Sequence, residues 1–494
     1  MALIPDSSPA KAGWGSLRQL TKYQWFVFIV ACLAWDLDCM DQQLFNVARR
    51  PAMRDLVPEV KKDDPRLPEL AAKLGKDPGD PDVIKAQFNA DVAHGASMAT
   101  SIFLIGWAVG GIGFGIMGDR LGRVRTLMVT ILLYSVFTGL SAFSTSVWDF
   151  GIYRFLTGLG VGAVFAVAVS LVAESVPSAA RPYALGLLQM SSALGNMVAA
   201  TVSIVLGYML IEGRLGDYRP WKIMFLIGIL PAVLIVLIQR RLKEPEAWNQ
   251  ARADHEAGIG KQLGSFKELF GDRRWRRRAI LGVLLAFAGV VGLWGIAFFA
   301  PDLQAYVLDP VFDDEAKERG LSGTALKDYL DGRKQIWAGW TSMLTNIGAA
   351  LGIFAFSWLT PHLGRRWTFA LAFIAAAGST ILVFWKLAHF NDIFWMIPIM
   401  GFCQLALFGG YAIYFPELFP TRLRATGISF CYNVGRLVAA VGPAALGLLT
   451  AQVYAGFERP LPFRYAGMTM CAVFLIGLAV LPFLPETKDK PLPE

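Results

Sequence analysis

Two aspartates, Asp38 and Asp41, lie three positions apart inside the first long apolar segment of the chain. A carboxylate in the middle of a membrane helix costs about 2.5 to 3.5 kcal/mol on insertion scales, so such a residue is a candidate for function. Residues three apart share a helix face, and two close carboxylates in a low-dielectric cavity disfavour double ionisation. The pair is therefore a candidate proton acceptor, whereas Asp36 is predicted to point elsewhere. The alternative is a structural cluster that is hydrogen-bonded to Gln42 and Gln43.

One arginine, Arg436, is predicted to lie near the middle of the eleventh apolar segment. Counted from Arg424 at about 1.5 Å per residue, it lies roughly 18 Å into a hydrocarbon core about 30 Å thick. A guanidinium at that depth needs an anion, which is either a carboxylate of the protein or the carboxylate of a substrate. Other polar or aromatic residues are weaker candidates for substrate binding, because interhelical hydrogen bonding and packing explain them equally well. They are Asn433, Gln189, Asn346, Gln404, Tyr411 and Trp294.

The pattern of histidines and nucleophiles gives no sign of an enzyme. The 4 histidines lie in loops or at segment ends without the spacing of metal ligands, and no nucleophile–base arrangement is visible. We therefore predict that the chain is not an enzyme and that it needs neither a metal nor a cofactor.

The composition is that of a polytopic membrane protein, because 55% of the 494 residues are hydrophobic and only 17% are charged. Apolar runs of about 20 residues predict membrane-spanning helices. The twelve predicted spans are 23–47, 97–118, 126–142, 150–173, 183–211, 221–239, 279–300, 337–359, 368–387, 393–415, 425–451 and 465–484.

Arginines in the short loops after spans two, four, eight and ten predict that these loops face the cytoplasm. Segments 1–22 and 485–494 are then cytoplasmic as well, in a multi-pass protein of the plasma membrane, which in a bacterium is the inner membrane. The long loops 48–95 and 301–336 are predicted to lie outside, the first as an irregular, proline-containing cap.

The segment 242–278 is predicted to be a basic cytoplasmic linker. It ends in the run 273–278, which consists of arginines and one tryptophan. Beside a membrane span, such a run is more typical of a topological signal that contacts anionic lipid than of a nucleic-acid site. We predict contact with the lipid bilayer and no binding of nucleic acid.

An internal repeat divides the chain into two halves. The pattern Glu-x-x-Pro-x-x-x-Arg at 174–181 recurs at 417–424, an offset of 243, and Leu-Gly-Arg at 121–123 recurs at 363–365, an offset of 242. Two six-helix halves follow, at 23–241 and 279–484. Parallel halves of this kind hold a substrate site between them near the bilayer midplane and work by rocking against each other.

The loop after span two carries the run Gly-Ile-Met-Gly-Asp-Arg-Leu-Gly-Arg-Val-Arg at 115–125. It resembles the loop signature of the major facilitator superfamily. The resemblance implies a cytoplasmic gate of charged pairs that break when the halves move. In the second copy, Pro361 and His362 stand at the positions of the first aspartate and arginine, so the second latch is expected to be weaker or to use Glu417 and Arg424. The candidate gate residues are Asp119, Arg120, Arg123, Glu174, Arg181, Arg365, Glu417 and Arg424.

Other stretches resemble a narrower group of transporters. Asp-Cys-Met-Asp at 38–41 is similar to the Asp-Gly-x-Asp signature in the first span of aromatic-acid/proton symporters, with Cys39 in place of the glycine. The segment 417–427, followed by Gly-Arg at 435–436, is similar to the same part of those symporters and of organic-anion transporters. The tail 484–488 is similar to the ending of sugar porters and organic-ion transporters.

Arg154 opens span four in the run Tyr-Arg-Phe-Leu-Thr-Gly-Leu-Gly at 153–160. This run resembles another superfamily motif, whose arginine is linked to proton coupling. The arginine is predicted to enter from the same outer side toward which Asp38 and Asp41 lie, so that pairing with them is feasible. An anchor whose charged head reaches the outer interface is the alternative.

Together these features predict an all-α polytopic membrane protein with the twelve-helix major facilitator fold. The predicted function is proton-coupled symport of a small organic anion, a carboxylate such as an aromatic, hydroxy or sugar acid, by alternating access and as a monomer. One alternative is a sugar or polyol:proton symporter, which the tail and the Glu-x-x-Pro-x-x-x-Arg repeats favour. Others are an exporter of organic cations or drugs, in which the aspartates would bind a positive substrate, and a transporter-like membrane sensor.

Overall fold

The computed structural model describes residues 14–216, 218–258, 262–296, 300–439, 442–454, 456–457 and 461–493. Within these ranges all regular secondary structure is helical. The first half contains α1 (Lys22–Leu56), α2 (Leu67–Leu74), α3 (Pro81–Arg120), α4 (Arg123–Ser141), α5 (Val147–Ser175), α6 (Arg181–Ile211), α7 (Pro220–Ile227) and α8 (Ala232–Arg241). The connection between the halves contains α9 (Glu246–Glu256) and α10 (Phe266–Gly271). The second half contains α11 (Arg273–Val290), α12 (Ala300–Glu318), α13 (Gly323–Leu363), α14 (Arg365–Lys386), α15 (Ile393–Leu418), α16 (Arg424–Ala439), α17 (Gly442–Leu448), α18 (Leu461–Met470) and α19 (Val473–Val480).

Among the described residues, 11 helical segments are long and apolar enough to cross a membrane. They correspond to the predicted spans one to ten and twelve. Span six is formed by α7 and α8, and α11 continues into a π-helical turn at Val291–Ile296. The predicted span 425–451 corresponds to α16 and α17, between which residues 440 and 441 lie outside the described part of the chain.

The two ends of the helical bundle differ in charge. The end that holds α9, α10 and the Leu-Gly-Arg repeats is called the basic face here, and the end that holds α2 and α12 is called the cap face. On the basic face, Gly122 and Gly364 adopt φ angles of 112° and 86°, which favour glycine. A Cβ atom on Gly364 would also lie 2.8 Å from Glu486 Oε2, and one on Gly122 would overlap the Glu244 carboxylate. Both repeats are therefore sharp turns that lead directly into α4 and α14.

The cap face is more helical than the sequence predicted, which corrects the expectation of an irregular segment at 48–95. Helix α1 continues through Pro51 as far as Leu56, and α2 and α3 occupy much of the remainder. Pro68 and Pro81 stand in the first turns of α2 and α3, where a helix needs no donor from the backbone nitrogen. These prolines begin helices instead of preventing them.

The end of the predicted basic linker is also helical, because the run 273–278 forms the first turns of α11 instead of preceding it.

The two halves meet along two seams of closely packed helices, α3 with α16 and α6 with α13. A Cβ atom on Gly111 of α3 would overlap the Asn433 amide of α16, and one on Gly186 of α6 would overlap the Ser357 hydroxyl of α13. Small residues at such positions let helix backbones approach closely, as membrane helix pairs require. These seams bring α16, and with it Arg436, against the first half.

The segment before α1 crosses one of these seams. It forms a 3-10 helix at Trp14–Gln19 on the basic face. The Trp14 ring lies 4.9 Å from the Tyr183 ring of α6 and is stacked at 5.0 Å on Phe354 of α13. The N-terminal part of the described chain thus contacts both halves.

Candidate functional site

Arg436 lies about three turns into α16, and its side chain is only 4% exposed. Its guanidinium carbon lies 3.7 Å from the ring centre of Trp107 on α3 and 4.1 Å from that of Tyr432 on its own helix. Its Nε and Nη1 atoms are buried and have no hydrogen-bond partner among the described residues. A permanently charged group with unused donors in the bundle interior can serve as a receptor for an anion.

Aromatic rings surround this arginine. Tyr432 is stacked on Phe165 of α5 with ring centres 4.5 Å apart and planes inclined by 22°. Trp294, from the π-helical turn after α11, lies edge-on to Trp107 at 6.2 Å. Rings from both halves therefore contribute to the surroundings of Arg436.

Asp38 and Asp41 are both fully buried on α1, and they interact with different arginines. Asp38 Oδ2 accepts a hydrogen bond from Gln42 Nε2 at 2.8 Å, while Asp38 Oδ1 has no partner among the described residues. The charge of Arg436 acts on Asp38, and the charge of Arg154 acts on Asp41. The charge of Asp41 also acts on Asp38, so the two aspartates form one coupled cluster in which each faces a different arginine.

Arg154 is fully buried on α5, a position that does not fit an anchor at the membrane interface. It donates to Ser141 Oγ at 2.7 Å from Nη2 and 3.1 Å from Nε, and to Phe137 O at 3.3 Å. The Phe225 ring lies 4.7 Å from its guanidinium carbon. Both carboxylate oxygens of Asp41 and the Nη1 atom of Arg154 have no hydrogen-bond partner in the described part of the chain. The pair therefore has spare hydrogen-bonding capacity for a change of protonation.

Three of the weaker substrate-binding candidates, Gln189, Asn433 and Gln404, also keep a polar atom without a partner among the described residues. Gln189 is buried and its Oε1 atom is unpaired there. Asn433 donates from Nδ2 to Gly162 O at 3.1 Å and to Ser429 O at 2.9 Å, while its Oδ1 atom is unpaired. Asn433 therefore joins the two halves and still keeps one acceptor.

Asn346, Gln404 and Tyr411 are engaged in interhelical hydrogen bonds. Asn346 accepts a bond from Asn196 Nδ2 at 2.9 Å, which joins α13 to α6. Gln404 donates to a threonine hydroxyl of α14 at 2.5 Å, and the Tyr411 hydroxyl donates to a carbonyl oxygen of α11 at 2.9 Å. These contacts account for Asn346 and Tyr411 as helix-packing elements, whereas the Oε1 atom of Gln404 has no partner among the described residues.

Asp119, near the end of α3, caps the first turn of α16 in the other half. Its Oδ1 atom accepts from Ala425 N at 3.2 Å, and its Oδ2 atom accepts from Thr426 N at 2.9 Å and from Thr426 Oγ1 at 2.6 Å. It also lies 3.1 Å from Arg123 Nη2. A carboxylate at a helix N-terminus is favourable because it accepts the free N–H groups there. This cap joins the basic face to the helix that carries Arg436.

Glu174 is shared by arginines from the two halves. Arg123 donates to its two oxygens from Nε at 3.0 Å and from Nη2 at 2.9 Å, and Arg424 of the second half donates from Nη1 at 2.7 Å. Arg123 also donates across the seam to Thr421 O at 2.9 Å. All three charged side chains are buried, so these contacts close the basic face in this structure.

In the second half, Arg365 donates to both oxygens of Glu417, at 3.1 and 2.8 Å. The expectation that Glu417 and Arg424 would form this latch is corrected, because Arg424 is held by Glu174 of the other half. The second copy of the loop has Pro361 where the first has an aspartate, so it offers no equivalent carboxylate to cap a helix across the seam.

Two further candidate gate residues bind backbone oxygens. Arg181 donates to Ala173 O at 2.9 Å, and Arg120 donates to Leu263 O at 3.3 Å. None of the ion pairs of the described residues joins Arg181 or Arg120 to one of the gate carboxylates, which are those of Asp119, Glu174 and Glu417. They brace the turns on the basic face.

Comparison with known proteins decides the family. The model of the Major Facilitator Superfamily matches residues 80–322 and 303–494. The chain belongs to this superfamily. It is 32% identical over 410 residues to the cis,cis-muconate transport protein of Acinetobacter baylyi, covering 83% of this chain and 89% of that one. It is 25% identical over 484 residues to the gallate transporter of Pseudomonas putida, covering 94% of both chains. A proton:xylose symporter bound to 6-bromo-6-deoxy-D-glucose has the same fold, with a TM-score of 0.67, 18% identity and coverage of 95% of this chain and 98% of that one.

Membership in the major facilitator superfamily confirms the predicted all-α, twelve-helix fold and the resemblance to the aromatic-acid and organic-anion branch. The protein is a multi-pass membrane transporter whose relatives transport aromatic and other organic acids. The prediction that it is not an enzyme is confirmed by the same relatives.

Two glutamates of the basic face were missed in the sequence. Glu244 accepts from Arg123 N at 2.7 Å and Val124 N at 3.0 Å, and Glu486 accepts from Arg365 N at 3.0 Å and Arg366 N at 3.1 Å. They cap α4 and α14 in the same way. The signal was present, because both stand in Leu-x-Glu, at 242–244 and 484–486, with the same offset of 242 as the Leu-Gly-Arg repeat.

The two caps differ in acidity. Burial raises the pKa of Glu244, and bonds from the backbone N–H groups of α4 offset only part of this effect. Burial also acts on Glu486, but there the backbone N–H groups outweigh it and hold the pKa of Glu486 below its ordinary value. As pH falls, the cap of the first half is therefore protonated before that of the second.

Trp107 and Tyr432 were also missed. Tyr432 stands four positions before Arg436, which places the two side chains on one helix face. Trp107 comes from another helix, and aromatic residues are so common in membrane spans that its type alone carries no signal.

Proposed function

We propose that this protein is a proton-coupled symporter that carries a small, flat carboxylate across the plasma membrane by alternating access. It acts as a monomer with its basic face and both termini toward the cytoplasm. The observation that carries the proposal is the Arg436 guanidinium, which is buried and stacked on aromatic rings while Nε and Nη1 lack partners among the described residues. A carboxylate satisfies both the charge and the donors.

The rings around Arg436 favour one shape of acid. Trp107 and Tyr432 lie over the guanidinium, so its N–H edge is left for the ligand. The N–H donors lie in the guanidinium plane, and a carboxylate that binds them is coplanar with it. When that carboxylate is conjugated to a ring or to double bonds, the carbon frame lies in the same plane and stacks on neighbouring rings. Muconate and gallate, named as cargo of two relatives, are flat conjugated acids.

Asp38 is the proposed site of the coupled proton. Asp38 and Arg436 act on each other through their charges, so in the cycle without substrate an ionised Asp38 balances the charge of Arg436. When a substrate carboxylate binds Arg436, two negative groups face one guanidinium in a buried site, and protonation of Asp38 restores neutrality. Substrate and proton are then loaded together, and the occluded state carries no uncompensated charge.

Asp41 and Arg154 are the proposed second titratable element. With Asp41 protonated, Arg154 stays on Ser141 and Phe137 O, which is the arrangement observed. With Asp41 ionised, its free oxygens attract the unused Nη1 donor of Arg154. This exchange of partners changes the packing between α1 and α5 and thereby links protonation to the position of α1.

The basic-face contacts are the proposed gate. Asp119 caps α16 at one end, and Arg436 receives substrate farther along the same helix. Movement of α16 on substrate binding would therefore strain the cap and the Glu174 contacts to Arg424. Breaking them opens the basic face and releases substrate into the cytoplasm.

Uptake into proteoliposomes with an imposed inward proton gradient tests this function, with protein-free liposomes as the blank. The flat acid 3,4-dihydroxybenzoate is compared with 3,4-dihydroxycyclohexanecarboxylate, which has the same charge and hydroxyl number but a puckered ring, and with xylose as a neutral solute. We expect gradient-driven accumulation of the flat acid, at least about tenfold faster than that of the puckered acid. Accumulation of xylose with neither acid would contradict the proposal and favour a sugar symporter. Equal uptake of the two acids would refute the preference for flat substrates.

A further inference from the structure

A glutamine on α1 contacts the proposed proton site directly. Gln42 stands one helical turn after Asp38, and its Nε2 atom donates to Asp38 Oδ2 at 2.8 Å. The other oxygen, Oδ1, has no hydrogen-bond partner in the described part of the chain. Gln42 therefore supplies the hydrogen bond that the described residues offer to this carboxylate.

The remaining influences on Asp38 are charges and titratable groups at longer range. They come from α1 itself, from α4 and from α16. They are Asp41, Cys39, Tyr134, Arg436 and Tyr432. Arg436 is the positive group among them, and in the proposed cycle the substrate carboxylate engages it. While substrate is bound, the Gln42 amide is thus the main remaining support for the ionised form of Asp38.

We propose that Gln42 sets the pH at which Asp38 takes up and releases the coupled proton. This inference rests on the proposed symport function. An N–H donor stabilises a carboxylate more than a carboxylic acid, because the bond to the charged form is the stronger one. Gln42 is accordingly a positioning residue that makes Asp38 ready to release its proton on the side of higher pH.

Replacement of Gln42 by methionine keeps the length of the side chain and removes the donor. Asp38 then retains its proton to higher pH, so the midpoint of the pH profile of uptake rises by about 1 pH unit or more. Because proton release becomes slower, the maximal rate of net uptake falls, while exchange of internal for external substrate is retained. A purely structural role would lower both rates together and leave the midpoint unchanged.

Gln43→Met is the matched control, since Gln43 is the adjacent residue and donates at 3.0 Å to Ser342 Oγ of α13 instead of to a carboxylate. Initial uptake of 3,4-dihydroxybenzoate is measured in proteoliposomes over a series of external pH values for wild type, Gln42→Met and Gln43→Met. We expect a shifted midpoint for Gln42→Met alone. Equal midpoints for the two variants would overturn the inference.

A second variant and a double variant keep the test decisive. In Gln42→Asn, the side chain carries an amide but is too short to reach Asp38 in the same geometry. This variant must shift the midpoint in the same direction as Gln42→Met. If Gln42→Met does not reconstitute, Gln42→Asn decides the test. In an Asp38→Asn background, in which exchange of internal for external substrate is retained, neither replacement of Gln42 should move the pH profile of that exchange, and a shift there would overturn the inference. If uptake by the wild-type protein is independent of pH, the proposed symport itself is refuted. If uptake by wild type depends on pH but the Gln42 variants show no shift, only the inference about Gln42 is refuted.

Discussion

The buried arginines of this transporter fall into two groups that differ in how their donors are used. Arg123 and Arg365 each hold a glutamate with two parallel hydrogen bonds, so they are satisfied within the protein. Arg424 is also paired with a glutamate, although its Nη2 atom has no partner among the described residues. Arg436 and Arg154 are buried, keep donors without partners there, and take part in none of the ion pairs of the described residues. A buried charged donor without a hydrogen-bond partner costs free energy. Such a donor is therefore retained where a function uses it. At the residue scale, this difference separates packing from chemistry.

Arg436→Lys should weaken substrate binding while the protein stays folded. Lysine keeps the charge but loses the planar fork and the stacking on Trp107 and Tyr432. We expect the KM for 3,4-dihydroxybenzoate to rise at least about tenfold, since a lost bidentate charged bond is worth 1.4 kcal/mol or more. Uptake kinetics in proteoliposomes measure this. Arg365→Lys, which alters a gate arginine away from α16, is the control, and an equal rise in KM for both variants would contradict the role of Arg436.

Asp38→Asn should uncouple transport from the proton gradient. The amide is neutral like a protonated carboxyl, so the occluded state stays accessible, but no proton can be taken up or released. We expect loss of gradient-driven accumulation with exchange of internal for external substrate retained. Accumulation to the wild-type level by this variant would rule out Asp38 as the proton site.

At the scale of helices, small residues decide how closely α3 and α5 approach. Gly162 of α5 faces Trp107 and Gly111, and a Cβ atom there would overlap the Trp107 carbonyl and the Gly111 nitrogen. The same two residues of α3 contact Arg436 and Asn433, so this close approach positions the substrate site.

Gly162→Ala should destabilise the protein and impair the site, because the neighbouring atoms belong to a backbone that cannot move aside. Overpacking of this kind costs about 1–3 kcal/mol. Gly113→Ala is the matched control, since no atom lies within 4 Å of a Cβ atom at that position. Thermal unfolding in detergent should show a lower melting temperature for Gly162→Ala alone. If both variants melt like wild type, the close packing of α3 and α5 is not limiting.

The elements and the charged site residues could be predicted from the sequence, and other parts could not. Apolar length predicted the spans, and a charge within an apolar run is a strong signal, so Asp38, Asp41, Arg154 and Arg436 were identified as candidates. Helix α2 and the start of α3 were missed because Pro68 and Pro81 stand in their first turns, which composition does not distinguish from loops. The ring of Trp107 over Arg436 depends on which helices are neighbours, and no local pattern encodes that.

At the scale of the whole molecule, the basic face joins the two halves through buried ion pairs, which separate in the proposed transport cycle. Glu174 holds Arg123 of its own half and Arg424 of the other. Breaking a buried pair is costly when one partner is left alone, so these contacts bias the protein toward a closed basic face. In the proposed cycle, substrate and proton together supply the difference in binding energy that opens it.

Glu174→Gln should shift the transporter toward an open basic face, because Arg424 loses its carboxylate partner and Arg123 is left with Asp119. The probe for this opening is a single cysteine that replaces Ser429 in a protein without the 5 native cysteines. Ser429 is buried against Gly115 in the seam between α3 and α16, so a cysteine there becomes accessible when the seam opens. We expect faster labelling by a membrane-impermeant thiol reagent applied to that face. Glu268→Gln is the control, because Glu268 pairs with Arg422 without joining the two halves. Equal labelling rates in both variants would contradict the latch.

Proton movement that accompanies substrate uptake is the most direct test of the central claim. Proteoliposomes with a trapped pH indicator and no imposed gradient receive 3,4-dihydroxybenzoate from outside, and protein-free liposomes correct for passive entry. The account predicts acidification of the lumen by wild type that follows substrate entry and is lost in Asp38→Asn. Substrate uptake by wild type without any acidification would contradict it.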